Sequence, residues 1–258
     1  MLDTGGMIYP AMFTQLVSRI GFGWATRVIA FVFLITSVPV MLMRTKTKPT
    51  TSRSLFDWGA LSDLPYMLLN LGLVFGVMGM YSIMTYIQLF ALSRTSISSS
   101  LADNLLLIIN SGSFVGRVVL GYFADRTGSV NMQSVLALVC AILAFCLLAV
   151  ETPAGLLVFA VVFGVASGAF MGLPVASIVK MSDDPHKIGT RIGMTLLFVG
   201  IGSLISYPIG GAIIGDDSST EKNWIGLVVY SGTLLAGSAG ALVAGRIVKV
   251  GGGWNKRL

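Results

Sequence analysis

The chain has 258 residues, of which 55% are hydrophobic and 11% charged, with a mean hydropathy of +0.86. A water-facing domain carries about a quarter charged residues, so a soluble globular protein is excluded and a membrane protein is indicated. The net charge of +6 gives no ground for a nucleic-acid partner, because in a membrane chain the placement of basic residues matters more than their sum.

A helix needs about 20 mostly apolar residues to cross a bilayer. Residues 1–10 lack the basic start and long apolar core of a secretory signal, and 7–17 are apolar but too short to cross, so they read as the last turns of a helix. Seven predicted spans follow, at residues 23–43, 66–92, 100–124, 130–150, 154–179, 188–214 and 224–248. The first is weakened by Arg27. Between the first and second lies the longest polar connection, with the run RTKTKPTTSRS, in which Phe56 and Trp58 can anchor a short interfacial segment. Cys140 and Cys146 share one apolar run and read as buried small hydrophobes, since they cannot build a disulfide framework.

Basic residues set the orientation. If the 44–63 connection is cytoplasmic, that side holds twelve of the seventeen Lys and Arg residues, while Arg19, Arg27, Arg94 and Lys222 lie opposite and Arg117 lies within the membrane. This asymmetry places the C-terminus in the cytoplasm. A repeat is also visible: Val74-Phe75-Gly76-Val77 recurs as Val162-Phe163-Gly164-Val165, and Gly112-Ser113 with Gly121 recurs as Gly202-Ser203 with Gly211. Each copy holds three spans, so the copies lie upside down to one another, the inverted-repeat plan of secondary transporters.

The stretch Asn110 to Gly128 carries the chemistry. Asn110, Ser113 and Arg117 follow at spacings of three and four and share one helix face. Arg117 lies about 12 Å of helix before Asp125, in a hydrocarbon core about 30 Å thick. Two readings stand open. An intramembrane charge marks a substrate path, and a guanidinium holds a carboxylate by two parallel hydrogen bonds; alternatively, Arg117 bonds backbone carbonyls or a neighbouring helix and only holds the bundle. Asn70, Tyr81, Thr85 and Gln88, with Tyr86 beside them, form a second polar stripe that suits either a wet cavity or helix-helix bonds. The repeat puts Tyr207 and Pro208 opposite Arg117, and Pro174 and Pro208 are expected kinks. In the turn at the end of the Arg117 helix, Gly121 is expected to let another helix approach, Asp125 to accept from helix-terminal amides and Arg126 to add to the inner positive charge. Asp103 is expected to cap a helix N-terminus. The only histidine, His186, is in a loop, and neither a pair of deep acids nor a metal-ligand cluster is visible, so an enzyme is disfavoured.

The turn Gly121-Tyr122-Phe123-Ala124-Asp125-Arg126-Thr127-Gly128 resembles the cytoplasmic loop signature of the major facilitator superfamily, in the copy carried by its C-terminal half. More narrowly, the chain is similar to the fungal monocarboxylate-transporter-like permeases in Ile8-Tyr9-Pro10, the run from Arg19 to Arg27 (RIGFGWATR), that from Tyr86 to Leu92 (YIQLFAL), Ser111-Gly112-Ser113 with Gly116-Arg117, and that from Lys187 to Met194 (KIGTRIGM). The resemblance implies an all-α membrane fold in which residues 1–43 are the end of an N-terminal bundle (the stub of helix five, then helix six), 44–65 the basic cytoplasmic linker, 66–248 the C-terminal six-helix bundle and 249–258 a cytoplasmic tail. It implies alternating-access transport of a small organic anion across the plasma membrane, without cofactor or metal. The substrate contacts it suggests are Arg117, Asn110, Ser113, Tyr81, Gln88 and Tyr207. Gly121, Asp125, Arg126, Gly128 and Arg191 form the conformational-switch loop, with Arg191 expected to meet the matching loop of the N-terminal half. In that family an aspartate one turn before the arginine shares in proton coupling; Ser113 stands there, so proton coupling does not carry over. A missing N-terminal six-helix half, or a complementary chain, is the expected partner besides the lipid bilayer. The alternative is a non-transporting sensor or regulatory partner of a complete permease.

Overall fold

In lipid every backbone N–H and C=O has to be satisfied internally, which leaves helices or closed barrels; among the described residues every regular element is helical. The computed structural model describes residues 2–42, 56–95, 97–182, 184–215 and 221–251. Most of the basic linker, the 216–220 part of the acidic loop and most of the C-terminal tail lie outside them. Seven helices are long and apolar enough to cross a membrane: Arg19–Pro39, Leu64–Arg94, Ser99–Thr127, Ser129–Ala149, Pro153–Met181, Ile188–Ile214 and Asn223–Val250. They match the predicted spans to within four residues at each end.

The chain divides into two units, Met1–Arg53 and Ser54–Leu258. The first is α1 (Leu2–Leu42), broken at Gly21, whose φ of 77° interrupts the helical path. The predicted stub and the first span are therefore the two arms of one kinked element. Arg27, which weakened the span in sequence, lies 5.1 Å over the Trp24 ring, a cation–π contact that eases the burial of its charge.

The second unit begins with a short helix, α2 (Trp58–Leu61), where the aromatic pair was expected to anchor a segment; the Phe56 and Trp58 rings are 4.7 Å apart. Then come α3 (Leu64–Arg94), α4 (Ser99–Asp103), α5 (Leu105–Thr127), α6 (Ser129–Cys146) with a 3-10 turn at Leu147–Ala149, α7 (Pro153–Gly172), α8 (Pro174–Met181), α9 (Ile188–Ile214) and α10 (Glu221–Val250). Helix α3 packs on α9 and α10, α7 on α5 and α6, and α6 on α10. Exchanging α3, α5 and α6 for α7, α9 and α10 leaves this set of pairings unchanged. The tertiary contacts thus carry the same twofold relation as the sequence repeat.

Without a hydrophobic force between helices in lipid, close packing holds them together, and small residues permit it. Helices α5 and α7 meet through Gly112 and Gly116 on one side and Gly164 and Gly168 on the other, so that a methyl group at Gly112 would stand 2.8 Å from the Val161 carbonyl oxygen. At Pro174 the chain breaks between α7 and α8, because proline has no N–H to give to the Phe170 carbonyl. Gln133 of α6 replaces that donor: its Nε2 donates to the Phe170 oxygen at 3.3 Å, and its Oε1 accepts from Ser177 Oγ at 2.6 Å. By contrast, α9 runs through Pro208 without interruption, so of the two expected kinks only that at Pro174 breaks a helix.

Two local expectations are corrected. Asp103 does not cap a helix: Ser98 is the N-cap of α4 and Asn104 that of α5, while Asp103 accepts from Gln88 Nε2 at 2.6 Å. Cys140 is buried but Cys146 is exposed, because the two are six residues apart on a helix and face in different directions.

Candidate transport site

Arg117 extends from α5 across α7. Its Nε donates to the Gly168 carbonyl at 3.1 Å, and its aliphatic stem fits over Gly172, where an added methyl would lie 3.2 Å from Cγ. Glycines at 168 and 172 therefore do two things: they let the helices approach, and they leave a carbonyl and a groove for the arginine. The bond to Gly168 satisfies part of the guanidinium in lipid, and it matches the bundle-holding reading of this residue as closely as the transport reading.

Tyr81 of α3 and Tyr207 of α9 stack with ring centroids 6.0 Å apart and planes 28° from parallel. Tyr86 donates to the Tyr207 carbonyl at 3.0 Å. Helices α3 and α9 thus bring the two tyrosines together, and Tyr207, 40% exposed, leaves the pair open at the bundle surface. The pair offers two phenol hydroxyls and two aromatic faces, which can hold a flat or apolar group, while the Arg117 guanidinium can hold an anionic one.

Other predicted contacts fall elsewhere. Ser113, 6% exposed, lies against Gly168 inside the α5–α7 contact, because the face it shares with Arg117 in sequence is turned onto α7 at that height. Gln88 is exposed and engaged by Asp103. Asn110 is half-buried on α5, two turns before Arg117.

The predicted switch residues divide into two places. At the α5–α6 turn Gly128 takes a φ of 101°, open to glycine but strained for other residues, and its N–H closes α5 onto the Ala124 carbonyl at 2.8 Å. Asp125 and Arg126 are exposed, and Arg126 donates to the Tyr122 hydroxyl while lying 4.6 Å over that ring. Among the described residues nothing approaches within 4 Å of a methyl placed at Gly121, so none of them is the close helix expected there. Arg191 makes its described bonds within its own unit. Its Nη1 donates to Asp63 at 2.7 Å and its Nε to Asp57 at 3.4 Å, while its guanidinium lies 5.1 Å over the Tyr66 ring. Lys187 Nζ reaches Asp57 at 3.3 Å. Tyr66 donates to the Arg191 carbonyl at 2.8 Å. Burial raises the Asp57 carboxyl, but the hydrogen bonds and charges of Lys187 and Arg191 outweigh it and hold it below its ordinary value.

Asp57, Asp63, Tyr66 and Gln133 were not singled out in sequence. Their partners lie far away along the chain, and the one local sign was the two aspartates bracketing Trp58–Leu61. Arg246, one of the twelve basic residues counted on the cytoplasmic side, is 1% exposed, with its Nε donating to Asn131 of α6.

Seven apolar spans and an all-helical bundle with twofold pairings define a multi-pass integral membrane protein. Residues 1–154 match the family described as Major Facilitator Superfamily; the chain belongs to that superfamily, whose members are transporters and not enzymes. The chain is 40% identical over 245 residues to the MFS-type transporter dbaD of Emericella nidulans, covering 95% of this chain and 53% of that protein. It is 34% identical over 214 residues to the Aspyridones efflux protein apdF of the same organism, covering 82% and 44%. Against the Fujikurins efflux protein of Gibberella fujikuroi it is 34% identical over 247 residues, covering 92% and 51%. The chain spans about half the length of the curated relatives it matches.

Proposed function

We propose that this chain forms the C-terminal half of a facilitator-type carrier that moves a small organic acid by alternating access, with Arg117 as the group that meets the acid. The observation that carries the reading is a cation, Arg117, within a membrane-spanning helix, with the stacked Tyr81–Tyr207 pair at a partly open face of the same bundle. Arginine suits this role because its planar fork matches a carboxylate in two parallel bonds and stays charged at any physiological pH. The names of two relatives as efflux proteins support outward movement of a fungal metabolite. Carriers of this plan bind substrate between two halves near the midplane, so a complementary six-helix half, in the same polypeptide or in a second chain, closes the site. The excess of basic residues supports a cytoplasmic C-terminus, and the resemblance to permeases supports a plasma-membrane location. Ser113 stands where the resembling permeases carry an aspartate, so proton coupling forms no part of the proposal.

A second reading is favoured by the bond from Arg117 to the Gly168 carbonyl: a non-transporting partner in which Arg117 only braces α5 on α7. Transport in proteoliposomes of the complete carrier separates the two. Arg117→Lys keeps the charge but loses the fork, and it is expected to lower export of labelled carboxylates more than tenfold at unchanged membrane abundance. Export at the wild-type rate in the variant overturns the assigned role. Loss of folded protein with unchanged export per molecule favours the brace.

A further inference from the structure

Asp57 and Asp63 stand at the N-caps of α2 and α3, with the extended backbone of that position (φ −101°, ψ 92° and φ −82°, ψ 94°). Aspartate is favoured at an N-cap because its carboxylate accepts from an amide in the first helical turn. Among the described residues neither side chain makes that bond. Both turn to α9 instead. Asp63 accepts from Arg191 Nη1 at 2.7 Å, whereas Asp57 accepts from Arg191 Nε at 3.4 Å and from Lys187 Nζ at 3.3 Å. The alternative donors stay close. A methyl placed at Gly59, in the first turn of α2, would lie 3.3 Å from Asp57 Oδ1. In the first turn of α3, Pro65 has no N–H to give, which leaves the Tyr66 amide as the one Asp63 can cap. Each carboxylate thus has two donor sets, the cations of α9 and the amides of its own helix, exchanged by rotation about side-chain bonds.

We propose that Asp57 and Asp63 form a releasable latch on the start of α9, closed while they bind Lys187 and Arg191 and opened when they turn back to cap α2 and α3. With side chains only 6% and 20% exposed, the two carboxylates cannot rely on water once a cation leaves, and a buried acceptor without a donor is costly. The cap amides supply that donor, so opening strands neither group. Asp57 opens first, because both its bonds exceed the 2.7–2.9 Å usual between a cation and a carboxylate. The Tyr66 hydroxyl, bonded to the Arg191 carbonyl and Thr195 Oγ1, acts as the pivot that keeps α3 and α9 together. The two aspartates lie in the last part of the 44–65 linker, so a pull along the linker acts on Asp57 and is passed to α9. Tyr207 lies about 24 Å further along that same uninterrupted helix. The latch goes beyond the carrier reading and does not depend on it.

The test follows amide hydrogen exchange of the full chain in phosphatidylcholine nanodiscs, read by mass spectrometry at the first turns of α3 and α9. Arg191→Gln is expected to speed exchange at the start of α9 at least fivefold and to leave the start of α3 no faster, because Asp63 becomes its cap. Adding Asp63→Ala to that variant is then expected to speed the start of α3 about fivefold, the effect of one lost N-cap. Should Arg191→Gln not fold, Asp63→Asn and Asp63→Ala in the otherwise native chain decide the matter. Both lose the ion pair and free the start of α9, but asparagine caps as well as aspartate, so only alanine is expected to speed the start of α3. Equal speeding of both helix starts in Arg191→Gln, or equal effects of asparagine and alanine on α3, shows a fixed ion-pair brace and overturns the latch.

Discussion

Arg117 and Arg191 place the same side chain in two settings, and the surroundings differ accordingly. In the membrane Arg117 uses a helix carbonyl and a groove over glycine; at the helix end Arg191 gathers two carboxylates and an aromatic face. Asp57 is the member whose titration reports on that cluster. Its carboxyl is held below the ordinary 3.8. A group whose acid constant falls on folding adds stability that is complete above its unfolded value and is lost as pH drops through its folded one. Thermal unfolding in detergent is therefore expected to show falling stability on acidification below about pH 4, with a shallower decline in Asp57→Asn. An unchanged slope in that variant counts against the cluster. Arg117 was legible in the sequence because a charge stands out in an apolar run. Its acceptor was not, since Gly168 lies 51 residues away and any backbone carbonyl reads alike in a sequence.

Among the elements, the α5–α7 contact is the most demanding. Backbone faces backbone there, so a larger side chain has no flexible neighbour to displace, and overpacking costs about 1–3 kcal/mol or more. Gly116→Leu is expected to remove most of the monodisperse protein recovered by size-exclusion chromatography, whereas Gly121→Ala on the same helix, with open space around it, is expected to leave recovery unchanged. Equal recovery of the two variants would refute the close contact. The break at Pro174 shows the complementary device: a missing N–H is met by Gln133 from another helix, and the side chain that meets it is 0% exposed. Pro174 could be read as a breaker from its chemistry, whereas the role of Gln133 depends on where α6 happens to pass.

At the scale of the molecule, the pairing of helices follows the sequence repeat, and the proposed orientation rests on the basic residues. With Cys140 and Cys146 replaced by serine, Glu151→Cys is expected to react with a membrane-impermeant maleimide in intact cells, and a reporter on the C-terminus is expected to resist external protease. The reverse pattern would invert the assigned orientation. Under the proposed carrier role, the surface around Tyr207, 40% exposed, is where a complementary half closes the cavity.

Span positions, superfamily membership and the repeat were readable from residue order, because the bilayer imposes a length of about 20 apolar residues on any helix that crosses it and glycine and charge stand out against that background. The seven spans and Arg117 follow from this one-dimensional constraint. Which predicted polar residues meet was a matter of helix rotation and crossing, quantities that spacing within one helix does not contain. Folding turned Ser113 onto α7, gave Gln88 to Asp103, and joined Arg191 to Asp57 across 134 positions. A side chain's partners in lipid are fixed by the helices packed beside it, and residue order does not contain that packing.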